Sequence, residues 1–294
     1  CMMAFSDKNA NIPRLHEALK EFSVRSILAI VANKFFDRPN YSFQKESDFN
    51  GDAFFIGYYI LGSFVLGISK WIQDIALLCN YEKVIFLARD GYLIQDAFEK
   101  LCRKDERFSK IQSQYFYASR KALMPYSMLN KMDFYSIANY VNINCHSPES
   151  INHLMQDVLL PLTKEREQEY RNRGINFEKK FSNIDEFYKY INALVEISYD
   201  EQVYNNKKES VRQYYKENFE GNVAIFDVGY SGKLPQIINQ LCEKEVDAFF
   251  IHDSAGASQI AVENGFKIHK YLDFTPAVSG VVMEYFLSSL EGSC

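Results

Sequence analysis

The cysteine and histidine residues of this chain lack the spacings that bind metals or form redox pairs. None of the six cysteines belongs to a Cys-x-x-Cys pair, and the five histidines include no His-x-x-x-His pair. A zinc site and a redox-active dithiol are therefore not expected. Because several cysteines lie in apolar helical patterns, we predict a reduced protein of the cytoplasm.

Basic charge and long apolar runs are also scarce. Asp and Glu outnumber Lys and Arg by 38 to 33, and the basic residues form no long stripe, so no nucleic-acid partner is expected. The longest run without charge, Ala53 to Ser69, contains three glycines and is marginal for a membrane helix. We predict a buried helix there and no transmembrane span. The first residues lack the pattern of a signal peptide.

Apolar residues, in contrast, are plentiful enough for a large core. The 294 residues are 47% hydrophobic and 15% aromatic. Short apolar runs alternate with amphipathic patterns, which predicts an α/β fold with a mostly parallel, Rossmann-like sheet flanked by helices. The predicted strands cover residues 83–88, 114–118, 222–226, 246–251 and 267–274, and the helices between and after them include 92–103, 234–242 and 279–290.

Three regions are predicted along the chain. Residues 1–80 are expected to form an N-terminal helical segment that packs on the core. Residues 81–130 and 219–294 form the α/β core, and residues 131–218 form a polar helical insertion that covers the site or holds a second substrate. The chain ends without a polar tail, from which we expect one domain of a longer protein.

The segment that follows the third predicted strand combines an acid, two glycines, a hydroxyl and a lysine. Gly229 and Gly232 allow the tight backbone that a phosphate needs, while Ser231 and Lys233 add a hydroxyl donor and positive charge. Asp227 is expected to accept hydrogen bonds from sugar hydroxyls or to stabilise a developing positive charge. The alternative is an ordinary strand–turn–helix corner with a capping Asp.

A second corner of similar kind follows the first predicted strand. Arg89 suits bidentate contact with phosphate oxygens, and Gly91 follows it closely. Asp90 is a candidate to orient Arg89, to bind magnesium or to act as a base. Ser119 and Arg120, after the second strand, are expected to add anion contacts. The alternatives are a structural Arg–Asp pair and a helix start with a surface arginine.

These segments resemble a known family. Residues 226–234, Phe-Asp-Val-Gly-Tyr-Ser-Gly-Lys-Leu, resemble the phosphate-binding signature of type I phosphoribosyltransferases, and residues 87–92 resemble their pyrophosphate loop. Phe226 and Leu234 depart from the type I pattern. Together with Ser119-Arg120, the segments are more similar to the glycan phosphoribosyltransferase domain of bacterial dual-domain ribofuranosyltransferases, over most of residues 50–294.

The resemblance implies transfer of a 5-phosphoribosyl group from phosphoribosyl pyrophosphate to a glycan hydroxyl, in the synthesis of ribofuranose-containing surface polysaccharide. It places Asp227 at the ribose hydroxyls, Arg89 and Gly91 at the pyrophosphate, and the segment Gly229, Tyr230, Ser231, Gly232, Lys233 around the 5-phosphate. It implies a phosphatase domain of the haloacid dehalogenase type as partner, fused or separate. A lipid-linked acceptor would bring the enzyme to the inner membrane from the cytoplasmic side.

The expected cofactor is Mg²⁺, with Asp90 and Asp227 as candidate ligands. Glu284 lies in an apolar pattern, so it joins Asp90 and Asp227 as a candidate catalytic carboxylate, although a partly exposed helix Glu is the alternative. Two other functions stay open. One is a haloacid dehalogenase-type phosphatase, which the absence of an Asp-x-Asp after a strand disfavours, and the other is a non-catalytic glycan-binding scaffold.

Overall fold

The computed structural model describes residues 56–128, 130–253, 256–272 and 286–289, together with Phe54 and Glu284. Most of the predicted N-terminal segment, residues 1–53, lies outside the described residues. So does most of the predicted closing helix, of which Glu284, Phe286 and Leu287 are helical. Among the described helices, none is both long and apolar enough to span a bilayer.

The core is a five-stranded sheet in which every neighbouring pair is parallel, which confirms the predicted α/β class. The strand order is β2-β1-β3-β4-β5. Its members are β1 (Lys83–Leu87), β2 (Gln112–Phe116), β3 (Val223–Tyr230), β4 (Asp247–Asp253) and β5 (Ile268–Lys270).

Helices cover both faces of this sheet, as burial of a parallel sheet requires. The described α-helices are α1 (Gly62–Leu78, after a π-helical turn at Ile56–Leu61), α2 (Tyr92–Cys102), α3 (Arg120–Ser127), α4 (Pro148–Leu154), α5 (Lys164–Asn172), α6 (Ile184–Ile197), α7 (Glu201–Asn218), α8 (Lys233–Cys242) and α9 (Ala257–Glu263). Short 3₁₀ segments lie at Glu106–Phe108, Lys131–Asn139, Ile143–Cys145 and Gln156–Val158.

Alternation along the strands sends side chains to two separate cores. Phe86 and Phe226 belong to the face that α1 and α2 cover, where Phe98 also packs. Ile85 and Ile225 belong to the opposite face, which α7 and α8 cover. The helix that follows β1 and the helix that follows β3 therefore lie on opposite sides of the sheet.

The insertion has a core of its own. Buried residues from Met124 to Tyr204 form one apolar cluster, separate from the two clusters at the sheet. Helix α6 begins where Asn183 accepts a hydrogen bond from the Glu186 N–H, a cap that asparagine favours. Helix α7 links the two regions, because Tyr204 belongs to the insertion core and Tyr215 packs on the sheet.

Several predicted strand boundaries are wrong. Strand β2 covers Gln112–Phe116 rather than residues 114–118, and β4 continues to Asp253 rather than ending at residue 251. Strand β3 does not end before Asp227 but continues to Tyr230, because Gly229 adopts a φ of 108° that keeps the chain paired with β4. Strand β5 covers Ile268–Lys270 within the predicted residues 267–274, and the Tyr271 and Leu272 N–H groups still donate to carbonyls of β4. Residues 273 and 274 lie outside the described residues. Side-chain pattern alone does not reveal where pairing stops.

Candidate functional site

The two predicted corners lie beside each other at the carboxyl edge of the sheet. Strand β1 pairs with β3 from Lys83↔Val223 to Phe86↔Phe226 and no further, while β3 stays paired with β4 up to Tyr230↔Asp253. The two strands thus separate after Phe226, and the helices that follow them leave toward opposite faces. This is the topological switch point, where open α/β sheets bind their ligands.

Arg89 has a strained backbone. Its φ of 70° is one of three positive values among the described non-glycine residues, in a region that side chains with a Cβ disfavour. The Arg89 N–H donates to the Tyr115 hydroxyl at 3.4 Å, and its Nε lies 3.4 Å from Asp90 Oδ1. The side chain is 37% exposed, so the guanidinium is open to a ligand.

Gly91 closes this first corner. A Cβ on Gly91 would lie 2.7 Å from the carbonyl oxygen of Leu87 and 2.8 Å from Cβ of Phe86. The glycine thus lets α2 begin directly against β1, and the Gly91 N–H donates to the Leu87 carbonyl. Close packing of the backbone therefore accounts for this glycine without a ligand.

A C-terminal segment contacts the first corner. The Ser289 N–H donates to the Arg89 carbonyl at 3.0 Å, and the Ser288 hydroxyl donates to Asp90 Oδ1 at 3.0 Å. Glu284 lies one turn earlier and its charge interacts with those of Asp90 and Arg89. The segment was predicted only as a closing helix with one acid, and Ser288 was missed because a serine near a chain end has no distinctive pattern.

Asp227 lies where β1 and β3 separate. Burial raises the pKa of its carboxyl to about 7, and the charges of Asp90 and Glu284 act in the same direction. Hydrogen bonds from the backbone N–H groups of Gly229 and Val228 oppose this shift. The three carboxyl groups that were predicted separately as catalytic candidates are therefore brought close enough to affect one another.

Glu284 shows the same effect. Burial and the Asp90 charge raise its pKa, and Arg89 opposes them. The site therefore contains three acids beside a single described arginine, and it disfavours an unaccompanied anion. A ligand that carries its own divalent cation would relieve this repulsion.

The second corner is shorter than predicted. Gly229 lies within β3, where a Cβ would come within 2.8 Å of the His252 carbonyl oxygen, and its N–H is engaged by Asp227. The turn itself consists of Ser231 and Gly232, and Gly232 has a φ of 71°. Helix α8 begins at Lys233. Its first turn offers few donors, because Pro235 has no N–H, the Lys233 N–H donates to the Ser231 hydroxyl at 3.5 Å and the Gln236 N–H donates to the Gly232 carbonyl.

Lys233 reaches the insertion. Its ammonium donates to the Asn139 carbonyl at 2.6 Å and lies 5.8 Å from the centre of the Tyr140 ring. Its backbone belongs to the second corner, but its ammonium is hydrogen-bonded to the last residue of the 3₁₀ segment Lys131–Asn139. The spacing of the motif could not predict this contact across the fold.

Ser119 and Arg120 begin α3, after β2. The Ser119 hydroxyl accepts a hydrogen bond from the Ala122 N–H at 3.1 Å and so caps the helix. Arg120 is exposed and lines a cavity between α3 and the insertion. The helix start, which the sequence offered as the alternative to an anion contact, is present, and Arg120 lines this cavity.

Exposed tyrosines beside the first corner were not predicted. Tyr92 and Tyr117 are 50% and 58% exposed, and Tyr115 contacts both rings, at centroid distances of 5.9 Å and 5.5 Å. A sequence signal was available, since Tyr115 and Tyr117 lie in the second predicted strand, which ends at the same edge. Aromatic faces at a polar edge suit contact with sugar rings.

The residues present fit a magnesium ion that arrives with its ligand. Among the residues that the structure describes, no group of three or more His, Cys, Asp or Glu side chains is arranged to hold a metal by itself. Mg²⁺ is commonly bound by one or two carboxylates plus substrate phosphates rather than by a full protein cage. Asp90 and Asp227 supply oxygen donors of that kind.

Comparison with known proteins adds no identification. No protein-family model matches this chain, and no curated protein matches it. The structure itself defines the class: an α/β protein with a doubly wound parallel sheet and a mixed-charge crevice at the carboxyl edge of that sheet, where the strand order reverses. The family resemblance of the two corners stays a prediction that rests on their residues.

Proposed function

We propose that this chain transfers a phosphoribosyl group from phosphoribosyl pyrophosphate, with Mg²⁺, to a hydroxyl of a glycan. The observation that supports the proposal most is the juxtaposition of the two corners on β1 and β3, on either side of the point where these strands separate. A pentose with phosphate at both ends is a ligand that two such corners suit.

The charges favour this donor over a simple phosphate. Arg89 is exposed and adjoins Asp90 and Glu284, while Asp227 lies at the start of the crevice. A free phosphate would meet three acids and one arginine. A magnesium diphosphate brings positive charge to the acids, and its oxygens can still pair with the guanidinium.

In the proposed reaction, Arg89 binds the diphosphate, and the turn formed by Ser231 and Gly232 at the start of α8 binds the 5-phosphate. Bound Mg²⁺, held with Asp90 and Asp227, would supply neutralisation of the leaving group's charge. The bond between the anomeric carbon and the diphosphate oxygen breaks, and the diphosphate keeps the electron pair. The glycan oxygen bonds to that carbon, and its proton passes to a carboxylate, with Asp90 or Glu284 as acceptor.

As the bond between the anomeric carbon and the diphosphate breaks, positive charge develops at that carbon. Asp227 is the first residue of β3 after the pairing with β1 ends, so it is assigned to the ribose hydroxyls and to stabilisation of that charge. The tyrosines Tyr92 and Tyr117 are assigned to the acceptor side, where they offer exposed ring faces to a sugar.

Calorimetry with phosphoribosyl pyrophosphate and Mg²⁺ tests the proposal. We expect one binding event per chain, which Arg89→Ala weakens by at least about tenfold because a charge-assisted contact is lost. Arg103→Ala is the matched control, since Arg103 caps the far end of α2 and pairs with Glu99 on the surface. No heat from the native chain, or equal weakening by both variants, would contradict the proposal.

A further inference from the structure

A cavity of about 160 Å³ lies between α3 and the insertion, apart from the carboxylates of the crevice. Its inner wall is apolar, with Met124 buried and Leu154 half-buried, and its mouth is polar. The volume exceeds what a single water needs and suits a small polar group. The cavity is lined by Arg120, Lys121, Met124, Tyr140, Val141, Asn142, His146 and Leu154.

The mouth of the cavity has an excess of positive charge. Among the described residues, no ion pair involves Arg120 or Lys121. Burial lowers the pKa of His146, and the charges of Lys121 and Lys180 lower it further. His146 Nδ1 lies 3.1 Å from the Ser150 hydroxyl oxygen. Two cations and an imidazole thus meet around one opening without a described carboxylate to balance them.

The cavity shares a wall with the second corner. Tyr140 lines the cavity, and its ring lies beneath the Lys233 ammonium, which also binds the neighbouring Asn139 carbonyl. Lys233 is the first residue of α8, whose first turn adjoins the crevice. A group in the cavity would therefore lie next to the site, on the side of the insertion.

We propose that this cavity binds an oxyanion, a phosphate or a carboxylate, carried by the second substrate. The identification of that substrate as the glycan acceptor rests on the proposed function, whereas the anion site itself rests on the cavity and its charges. An acceptor that bears a sugar acid or a phosphodiester next to the reacting sugar would satisfy Arg120 and Lys121 together. The insertion thus selects acceptors by charge.

The test uses the full chain and two small probes, methyl phosphate and methyl glucuronide, which distinguish phosphate from carboxylate. NMR of the imidazole resonances follows His146 as the pH is varied with and without each probe. An anion in the cavity favours the charged imidazole, so the titration of His146 is expected to move to higher pH. The resonances of His153, which is exposed on the same insertion, provide the control.

A variant measures the affinity. Lys121→Gln, at an exposed position, is expected to weaken binding of the effective probe about tenfold, as loss of one charge-assisted hydrogen bond does. Lys131→Gln, at an exposed position outside the cavity, is expected to leave that affinity unchanged. If neither probe shifts the His146 titration, or if both variants behave alike, the anion site is refuted.

The outcome separates this inference from the proposed function. If His146 responds and phosphoribosyl pyrophosphate does not bind, the cavity stands and the transferase proposal fails. If the donor binds and His146 does not respond to either probe, the transferase proposal stands and the anion site in the cavity is refuted. Displacement of the probe by the donor, one for one, would assign the cavity to the donor and overturn its role for the second substrate.

Discussion

The Asp227 carboxyl is predicted to make the protein less stable as the pH rises. Its pKa is about 7 in the folded chain, because burial, Asp90 and Glu284 disfavour its charged form, against an ordinary value of 3.8. A group with a raised pKa in the folded state contributes stability below its unfolded pKa and loses it as the pH rises through the folded pKa. The stability that the protonated Asp227 contributes is therefore lost between about pH 4 and about pH 7.

The size of the effect follows from the two values. At 1.36 kcal/mol per pKa unit, ionisation of Asp227 lowers the free energy of unfolding by about 4 kcal/mol at pH 8, of which about 2–3 kcal/mol develops above pH 5. Asp227→Asn has nearly the same shape and no charge. The variant should therefore be more stable than the native chain at pH 8 by a margin that shrinks toward pH 5, while the proposed phosphoribosyl transfer should be lost.

Urea unfolding in metal-free buffer at several pH values between 5 and 8 measures this difference. Asp74→Asn is the control, since Asp74 is exposed on α1 and pairs only with Lys70 among the described residues. A stability difference between native and Asp227→Asn that does not change with pH would show that the carboxylates of the crevice do not affect one another as described.

Three further changes separate structural from functional roles. Arg89→Gly should exceed Arg89→Ala in stability by about 0.5–1 kcal/mol, because glycine accepts the positive φ, although both lose donor binding. Gly229→Ala should destabilise by about 3 kcal/mol, since its Cβ would meet the His252 carbonyl. Gly256 has a similar φ, but a Cβ there would meet open space, so Gly256→Ala should reduce the free energy of unfolding by less. Ser119→Ala should reduce the free energy of unfolding by about 1 kcal/mol, because the helix cap is removed.

Denaturant unfolding checks all three, and each has its own contradicting result. Equal stability of the two Arg89 variants would mean that the backbone there is not strained. Equal loss in the two glycine variants would assign the whole effect to φ and none to the packing of β3 on β4. An unchanged Ser119→Ala would show that the Ser119 hydroxyl does not stabilise α3.

The fold was largely predictable because its central strands are buried on both faces. The run Lys83–Leu87 and the run that begins at Val223 contain continuous apolar residues, which is typical of parallel strands. Residues 92–103 show one apolar face, and α2 covers all but the last of them. The end of β3 was not predictable, because a strand that continues through an Asp and a Gly depends on the partner strand and on the φ of Gly229.

The candidate site was predictable as a set of residues but not as a set of contacts. The pattern of acid, arginine and glycine after two apolar runs placed Arg89, Asp90 and Asp227 at one sheet edge, and the strand pairing brings them together. The link between Lys233 and Asn139, and the docking of Ser288 on Asp90, join residues far apart in the chain. No local pattern carries such information.

The central claim is that the two corners bind opposite ends of one doubly phosphorylated pentose. The two halves of that ligand, tested separately, examine the claim most directly. Titrations of magnesium diphosphate and of ribose 5-phosphate into the native chain, Arg89→Ala and Ser231→Ala measure each end separately. We expect Arg89→Ala to weaken only the diphosphate and Ser231→Ala to weaken only ribose 5-phosphate. If both variants weaken the same fragment, or neither fragment binds, the two corners do not share one donor.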